Sequence, residues 1–219
     1  MYKFLISCLF LMAGFAQNPY LEKQLFVIRN PQTNRVEFRK AMKKIGESLA
    51  VRISKNLSTK TASIKTVLEK SADHQLLDED LVLVTILRAG LPMLNGMMKV
   101  FPDAEIGFLA MKRNEKTLLP TVFYQGMPSL KGKTVIIADP MIATGGSMLD
   151  AVKIVESLGA KRIIVAGAMS TDHGIGKIKQ YKSEIPIYSG VIDPLLNEIG
   201  YIVPGLGDAG DRSFGLKID

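Results

Sequence analysis

Residues 134–168 read TVIIADPMIATGGSMLDAVKIVESLGAKRIIVAGA, and the fold turns on this stretch. Residues 134–138 (TVIIA) and 162–168 (RIIVAGA) are apolar and β-branched without alternation, the texture of strands buried on both faces. Between them Leu149, Val152, Ile154, Val155 and Leu158 recur at helical spacing over residues 147–158, with Gly159 placed to end the helix. Strand, helix and strand in that order predict a right-handed crossover between parallel neighbours, and so an α/β fold with a mainly parallel sheet flanked by helices.

Residues 81–87 (LVLVTIL) and 185–191 (IPIYSGV) repeat the strand texture. Residues 104–111 and 118–124, separated by 112–117, read instead as a hairpin projecting from that sheet. Upstream, Phe38, Met42, Ile45, Leu49 and Ile53 form one face of a helix over residues 35–53, and Arg39, Lys40, Lys43 and Lys44 fall on its solvated side. Residues 58–80 fit either a helix, through Ile64, Val67 and Leu68, or short strands. No internal repeat or low-complexity linker divides the chain.

Composition narrows the class. The 219 residues are 47% hydrophobic, which excludes an intrinsically disordered chain. Cys8 is the only cysteine, so no internal disulfide forms, and with only His74 and His173 beside it a structural zinc site is not expected. The 28 basic against 21 acidic residues leave +7, compatible with nucleic acid, a membrane surface or small phosphorylated ligands. Residues 1–16 carry Lys3, an apolar run and small residues at Gly14 and Ala16, a pattern that suits a secretory signal or an N-terminal extension.

Ligands of open α/β sheets bind at the carboxyl ends of the strands, and three such ends are chemically unusual. In the first, Asp139, Pro140, Met141, Ile142, Ala143, Thr144, Gly145, Gly146 and Ser147 run from strand to helix. The two glycines allow a tight turn that presents amides to an anion, Thr144 and Ser147 add hydroxyls, and the helix N-terminus adds its dipole. Asp139 is an acceptor for sugar hydroxyls, so the constellation suits a phosphate and a ribose together. No G-x-G-x-x-G stands at this turn, and Gly132-Lys133-Thr134 is not a P-loop, because Met127 occupies the place of the required first glycine. The second end, residues 85–91 (TILRAGL), sets the Arg88 guanidinium beside exposed backbone amides, an arrangement suited to a diphosphate. The third, residues 200–212 (GYIVPGLGDAGDR), is glycine-rich; beyond an ordinary mobile loop, such a segment can bring backbone donors and acceptors close to a flat base.

These motifs resemble, in order, the phosphoribosyl-diphosphate (PRPP) loop, the diphosphate loop and the base loop of the type I phosphoribosyltransferases, and within them the uracil phosphoribosyltransferase branch. Pro140 stands where most of the wider family has a second acid, and the likeness runs from about residue 18 to residue 215. The resemblance implies magnesium-dependent transfer of ribose 5-phosphate from PRPP to uracil. It assigns the 5′-phosphate to Thr144, Gly145, Gly146 and Ser147, with Pro140, Met141, Ile142 and Ala143 leading into that loop. The ribose goes to Asp139 and the diphosphate to Arg88 and Arg113. Uracil falls to Ile202, Gly207, Asp208 and Ala209, and Asp208 also faces PRPP and holds Mg²⁺ through water. Arg88, Asp139 and Asp208 form the catalytic set.

Fixed backbone groups that complement O2, N3–H and O4 of uracil would reject cytosine by a factor on the order of 10⁴. The family usually has an aromatic residue and an acid flanking the second arginine, where this chain has Lys112 and Asn114; Gly126 replaces a basic residue. The hairpin around residues 112–117 is then expected to act as a lid. His173 is expected in a loop or cap, outside the chemistry.

The rival functions are a PRPP-binding regulatory protein, for which the basic cluster at Arg39 is too short to add an RNA-binding face, and a phosphoribosyltransferase for another base. The resemblance further implies a homo-oligomer, dimer or tetramer, and leaves GTP as a candidate allosteric activator, with no nucleic-acid or membrane partner. Because PRPP is an intracellular metabolite, the cytoplasm is the expected compartment. Residues 1–17 are then an extension or a misassigned start before a single domain at 18–219.

Overall fold

The computed structural model describes residues 18–113 and 120–217, apart from the side chains of 112, 113 and 120–122. A six-stranded sheet forms its centre, built from β3 (Leu81–Leu87), β4 (Glu105–Arg113), β5 (Pro120–Gly126), β6 (Thr134–Ile142), β7 (Arg162–Thr171) and β8 (Ile187–Asp193). The strand order is β5-β4-β3-β6-β7-β8, and every neighbouring pair is parallel except β4 with β5. The hairpin expected to project from the sheet is instead its edge: β4 pairs with β3 from Val82↔Glu105 to Leu87↔Ala110. Its tip, residues 114–119, lies outside the described residues.

Alternate residues of the central strands enter two apolar layers, as the two-residue period of a strand requires. Leu81, Leu83, Ile136, Ala138, Ile164 and Ala166 face one layer with α1 (Pro19–Arg29), α2 (Arg35–Ser54) and α3 (Leu91–Met97). Val82, Val84, Val135, Ile137, Ile163 and Val165 face the other with α4 (Gly146–Ser157) and α5 (Asp172–Tyr181). The apolar face of α2 is fully buried at Phe38, Met42, Ile45, Leu49 and Ile53, and Asn34 caps the helix by accepting from the Glu37 amide. Its basic side is not purely solvated: Arg39 Nη1 donates to the Ser213 carbonyl at 2.7 Å and ties α2 to the last helix, α6 (Ala209–Phe214).

The segment left open by its sequence is a hairpin, β1 (Thr59–Lys65) with β2 (Ser71–Leu77), paired from Thr59↔Leu77 to Lys65↔Ser71 and separate from the main sheet. Both of its faces are largely exposed, so neither periodicity could show. A small pair, β9 (Leu195–Leu196) with β10 (Ile202–Val203), leads into α6. The glycine-rich segment at residues 200–212 is therefore part strand and part helix, not a plain loop. Among the described residues no helix is long and apolar enough to cross a membrane.

Candidate active site

The carboxyl ends of β3 and β6 lie side by side at the middle of the sheet, and the site is built on them. β6 runs further than the five residues its apolar texture marks. Asp139, Pro140, Met141 and Ile142 belong to it, with Asp139, Met141 and Ile142 paired to Gly167, Met169 and Ser170 of β7. Pro140 lacks an N–H to contribute and is skipped in the ladder. On the other side β3 pairs with β6 only as far as Ala138, so Asp139 lies just past the last rung the two strands share. Burial, and then the charge of Asp208, push the Asp139 carboxyl up to about 8 from its ordinary 3.8. The charge of Asp208 thus reaches Asp139 although 69 positions separate the two in the chain (208 − 139).

The phosphate loop follows. Gly145 sits at φ +74 as the residue before α4 and has no side chain to cap the helix amides. A methyl group on it would lie 2.6 Å from the Gly174 carbonyl oxygen, so the loop is pressed against the start of α5. Thr171 fixes the same junction, donating to the Ala143 carbonyl at 2.7 Å and accepting from the Gly174 amide at 3.0 Å. Thr144, Gly145, Gly146 and Ser147 thus form a rigid turn whose first helical amides have no side-chain partner.

Arg88 follows β3 across a cis Leu87–Arg88 peptide. A methyl on Gly90 would fall 2.0 Å from the Thr85 hydroxyl oxygen, and that hydroxyl donates to the Ala138 carbonyl at 2.7 Å, so this loop is packed onto the end of β6. The Arg88 guanidinium is held loosely. It donates to the Gly215 carbonyl at 3.2 Å and lies 3.5 Å from Asp211 Oδ1, a buried oxygen with no hydrogen bond of its own. Arg113 ends β4, and its side chain, like that of Lys112, lies outside the described residues.

The base loop meets both. A methyl on Gly210 would contact the Ala89 side chain at 3.8 Å, which brings α6 against the Arg88 loop. Ile202 and Ala209 are buried in the first apolar layer, Gly207 has φ +82, and Asp208 caps α6 by accepting from the Asp211 amide at 2.8 Å. The other oxygen of Asp208 faces Lys217 at 3.8 Å.

Two arginines that sequence spacing does not reveal hold this loop in place. Arg29 of α1 pairs through both nitrogens with Asp193, at 2.8 and 2.6 Å, and donates to the Gly205 carbonyl at 3.0 Å, while the Gly205 amide donates to Asp193 at 2.9 Å. Arg212 donates to the carbonyls of Ile28, Leu206 and Asn30 and lies over the Phe38 ring. Burial alone would raise the Asp193 carboxyl, yet the Arg29 pair and the Gly205 amide outweigh it and hold it below the ordinary value. His173 is exposed in the first turn of α5 and touches none of these groups.

Among the described residues no cluster of three or more His, Cys, Asp or Glu could hold a metal. Mg²⁺ keeps several waters and takes most of its remaining ligands from substrate phosphates, so a single carboxylate such as Asp208, acting through water, suits it.

A mostly parallel sheet of this order, with the glycine turn and the Arg88 loop at adjacent strand ends, is the fold of the type I phosphoribosyltransferases. A hypoxanthine-guanine phosphoribosyltransferase from Bacillus anthracis shares the fold, with TM-score 0.51 over 73% of this chain and 80% of that one at 14% identity. Sequence places the chain more narrowly. The family model described as uracil phosphoribosyltransferase matches residues 15–216. Uracil phosphoribosyltransferases from Dictyoglomus turgidum and Clostridioides difficile are 37% and 36% identical, over 94% and 91% of this chain and 100% and 96% of their own lengths. The AQ2163 protein from Aquifex aeolicus matches with TM-score 0.85 and 34% identity over 93% of this chain and 98% of that one. The chain belongs to the uracil phosphoribosyltransferase family.

Proposed function

We propose that this chain transfers ribose 5-phosphate from PRPP to N1 of uracil, releasing diphosphate and forming UMP. The observation that carries the reading is the convergence of three segments: the base loop comes against the Arg88 loop at Gly210 and Ala89, and the charge of Asp208 bears on Asp139 at the strand end that leads into the phosphate turn. In the reaction the bond from C1′ to the diphosphate oxygen breaks and its electron pair leaves with diphosphate, while N1 of uracil forms the new bond to C1′ and its N1 proton passes to solvent. Catalysis is then mainly positioning and electrostatics. The amides and hydroxyls of Thr144, Gly145, Gly146 and Ser147 bind the 5′-phosphate, next to the strand end formed by Pro140, Met141, Ile142 and Ala143.

Ribose hydroxyls donate to Asp139, which favours its ionised form and expels the proton it holds when empty. Arg88 leaves its loose contact with Asp211 for the diphosphate, where Arg113 joins it. Ile202, Gly207, Asp208 and Ala209 bind the base. Magnesium would be held by Asp208 through water and would neutralise the leaving diphosphate.

A homo-oligomer is part of the proposal, supported by the exposed Ile64, Leu76 and Leu77 on the β1–β2 hairpin. The cytoplasm follows from the substrate, with residues 1–17 an extension to the domain at 18–219. Whether GTP activates the enzyme is read by adding it to the same assay.

Incubation with PRPP, magnesium and each free base, followed by nucleotide analysis, tests the reading. UMP from uracil alone is expected. No nucleotide from folded protein would leave a PRPP-binding regulator, and a nucleotide from another base would overturn the specificity. Mass spectrometry of the mature N-terminus checks the compartment, since cleavage after Ala16 would contradict it.

A further inference from the structure

We propose that Lys177, which none of the motifs includes, is a further phosphate-binding residue and supplies the cation of the 5′-phosphate site. The proposal rests on the reading of residues 144–147 as that site. A methyl group built on Gly146 would lie 3.9 Å from Lys177 Nζ and 3.7 Å from Thr144 Oγ1, so the ammonium and the hydroxyl converge on one position beside the first amides of α4. Lys177 stands three residues beyond Gly174, on the α5 face that presses against the loop. The Thr171 and Gly174 contacts to Ala143 and Gly145 make the helix and the loop one rigid unit, which holds the ammonium in register with the turn.

Charge gives the second strand of the argument. The N-terminus of the 12-residue α4 carries partial positive charge, with no side-chain cap and no acid in its first turn. An ammonium beside it is repelled unless an anion sits between them. The neighbouring lysines are already engaged: Lys179 donates to the Ser183 carbonyl at 2.8 Å, and Lys182 pairs with Glu156 at 2.6 Å. Among the described residues Lys177 makes no ion pair or hydrogen bond. Arg88 and Arg113 are committed to the diphosphate, so without Lys177 the 5′-phosphate would be met by amides and hydroxyls alone. A phosphate in the cradle accepts from the turn and from the ammonium together, a charge-assisted arrangement.

The test is the affinity for UMP and for uridine, which differ only in the 5′-phosphate, measured by titration calorimetry on the full chain. Lys177→Ala is expected to weaken UMP by about tenfold, the scale of one charge-assisted contact, and to leave uridine unchanged. Lys177→Arg should keep UMP within about threefold of the parent, because the charge and reach persist. Lys179→Ala, on the same helix but turned to Ser183, should match the parent. In turnover the loss should fall on KM for PRPP and spare KM for uracil. A parent that prefers UMP to uridine while Lys177→Ala binds UMP equally well overturns the role of Lys177. A parent that binds neither overturns the nucleotide reading itself, so the two failures are distinguishable.

Discussion

The phosphate side and the base side of the site are both glycine-rich, yet they are held by opposite means. The phosphate turn is a local object, made by the consecutive positions Asp139 to Ser147 from the end of β6 and wedged by backbone contact against α5. The base loop is a distributed one, pinned by Arg29 across 164 positions and by Arg212 across 182 and 184. Their aspartates differ in the same sense. Asp139 is pushed up by burial and Asp208, whereas Asp193 is brought down by its arginine and amide partners against the pull of burial. On the proposed assignment, phosphate is held by a tight local turn, and the base by an irregular segment that long-range ion pairs and hydrogen bonds fix in place.

Breaking the distributed side should cost most. Asp193→Ala leaves the Arg29 charge without its partner and frees Gly205, so a loss of about 3 kcal/mol in urea unfolding is expected, with KM for uracil raised more than KM for PRPP. A stable variant with unchanged uracil KM would remove the clamp from the argument. Gly145→Ala attacks the local side. The methyl meets the Gly174 carbonyl at a positive φ, and displacement of the turn should lower kcat/KM for PRPP by about 10²-fold. Here KM for uracil should stay near the parent, the mirror image of Asp193→Ala.

Asp208 joins the two sides. Asp208→Asn keeps the cap on α6, since asparagine caps as well as aspartate, so thermal stability should hold while turnover falls by roughly tenfold or more through the lost carboxylate charge. Undiminished turnover would withdraw its role.

The smallest effect is a slope. In the ligand-free chain Asp139 holds its proton up to about 8, against 3.8 ordinarily. Its contribution to stability is therefore full at acid pH and is lost as pH rises through that interval, because the folded state binds the extra proton. Asp193 has the opposite sign, its contribution present above the ordinary carboxylate range and lost as pH falls through its lowered value. Urea midpoints taken from about pH 5 to about pH 8 should thus decline in the parent and flatten in Asp139→Asn. An equal decline in both would assign the slope elsewhere.

The local half of the molecule was the legible half. The buried strands announced themselves through unbroken Val, Ile and Leu, and the α4 pattern placed its start within one residue of Gly146. The end of β6 was less visible, because Asp139 and Pro140 interrupt an apolar run that the ladder to β7 continues past. The β1–β2 hairpin has almost no buried face and hence no period to read. Helix α5 was hidden by Gly174 and Gly176, both poor helix formers, of which Gly174 is needed for the close contact with the turn. Arg29, Arg212 and Lys177 act on groups that only the folded chain brings near. No spacing rule reaches them, although an unassigned basic residue in a chain that binds a triply phosphorylated sugar is a reason to look.

The clamp at Arg29 also bears on biosynthesis. Helix α1 is among the first described elements to be made, and Asp193, Gly205 and Arg212 are among the last. During translation the segments that wedge the turn, β6, β7 and α5, leave the ribosome earlier, whereas Arg29 of α1 meets its acid only after residue 193 has been made. A nascent chain would therefore complete the turn before the clamp on residues 200–212, and a chain stopped short of residue 193 would lack the acid that Arg29 grips.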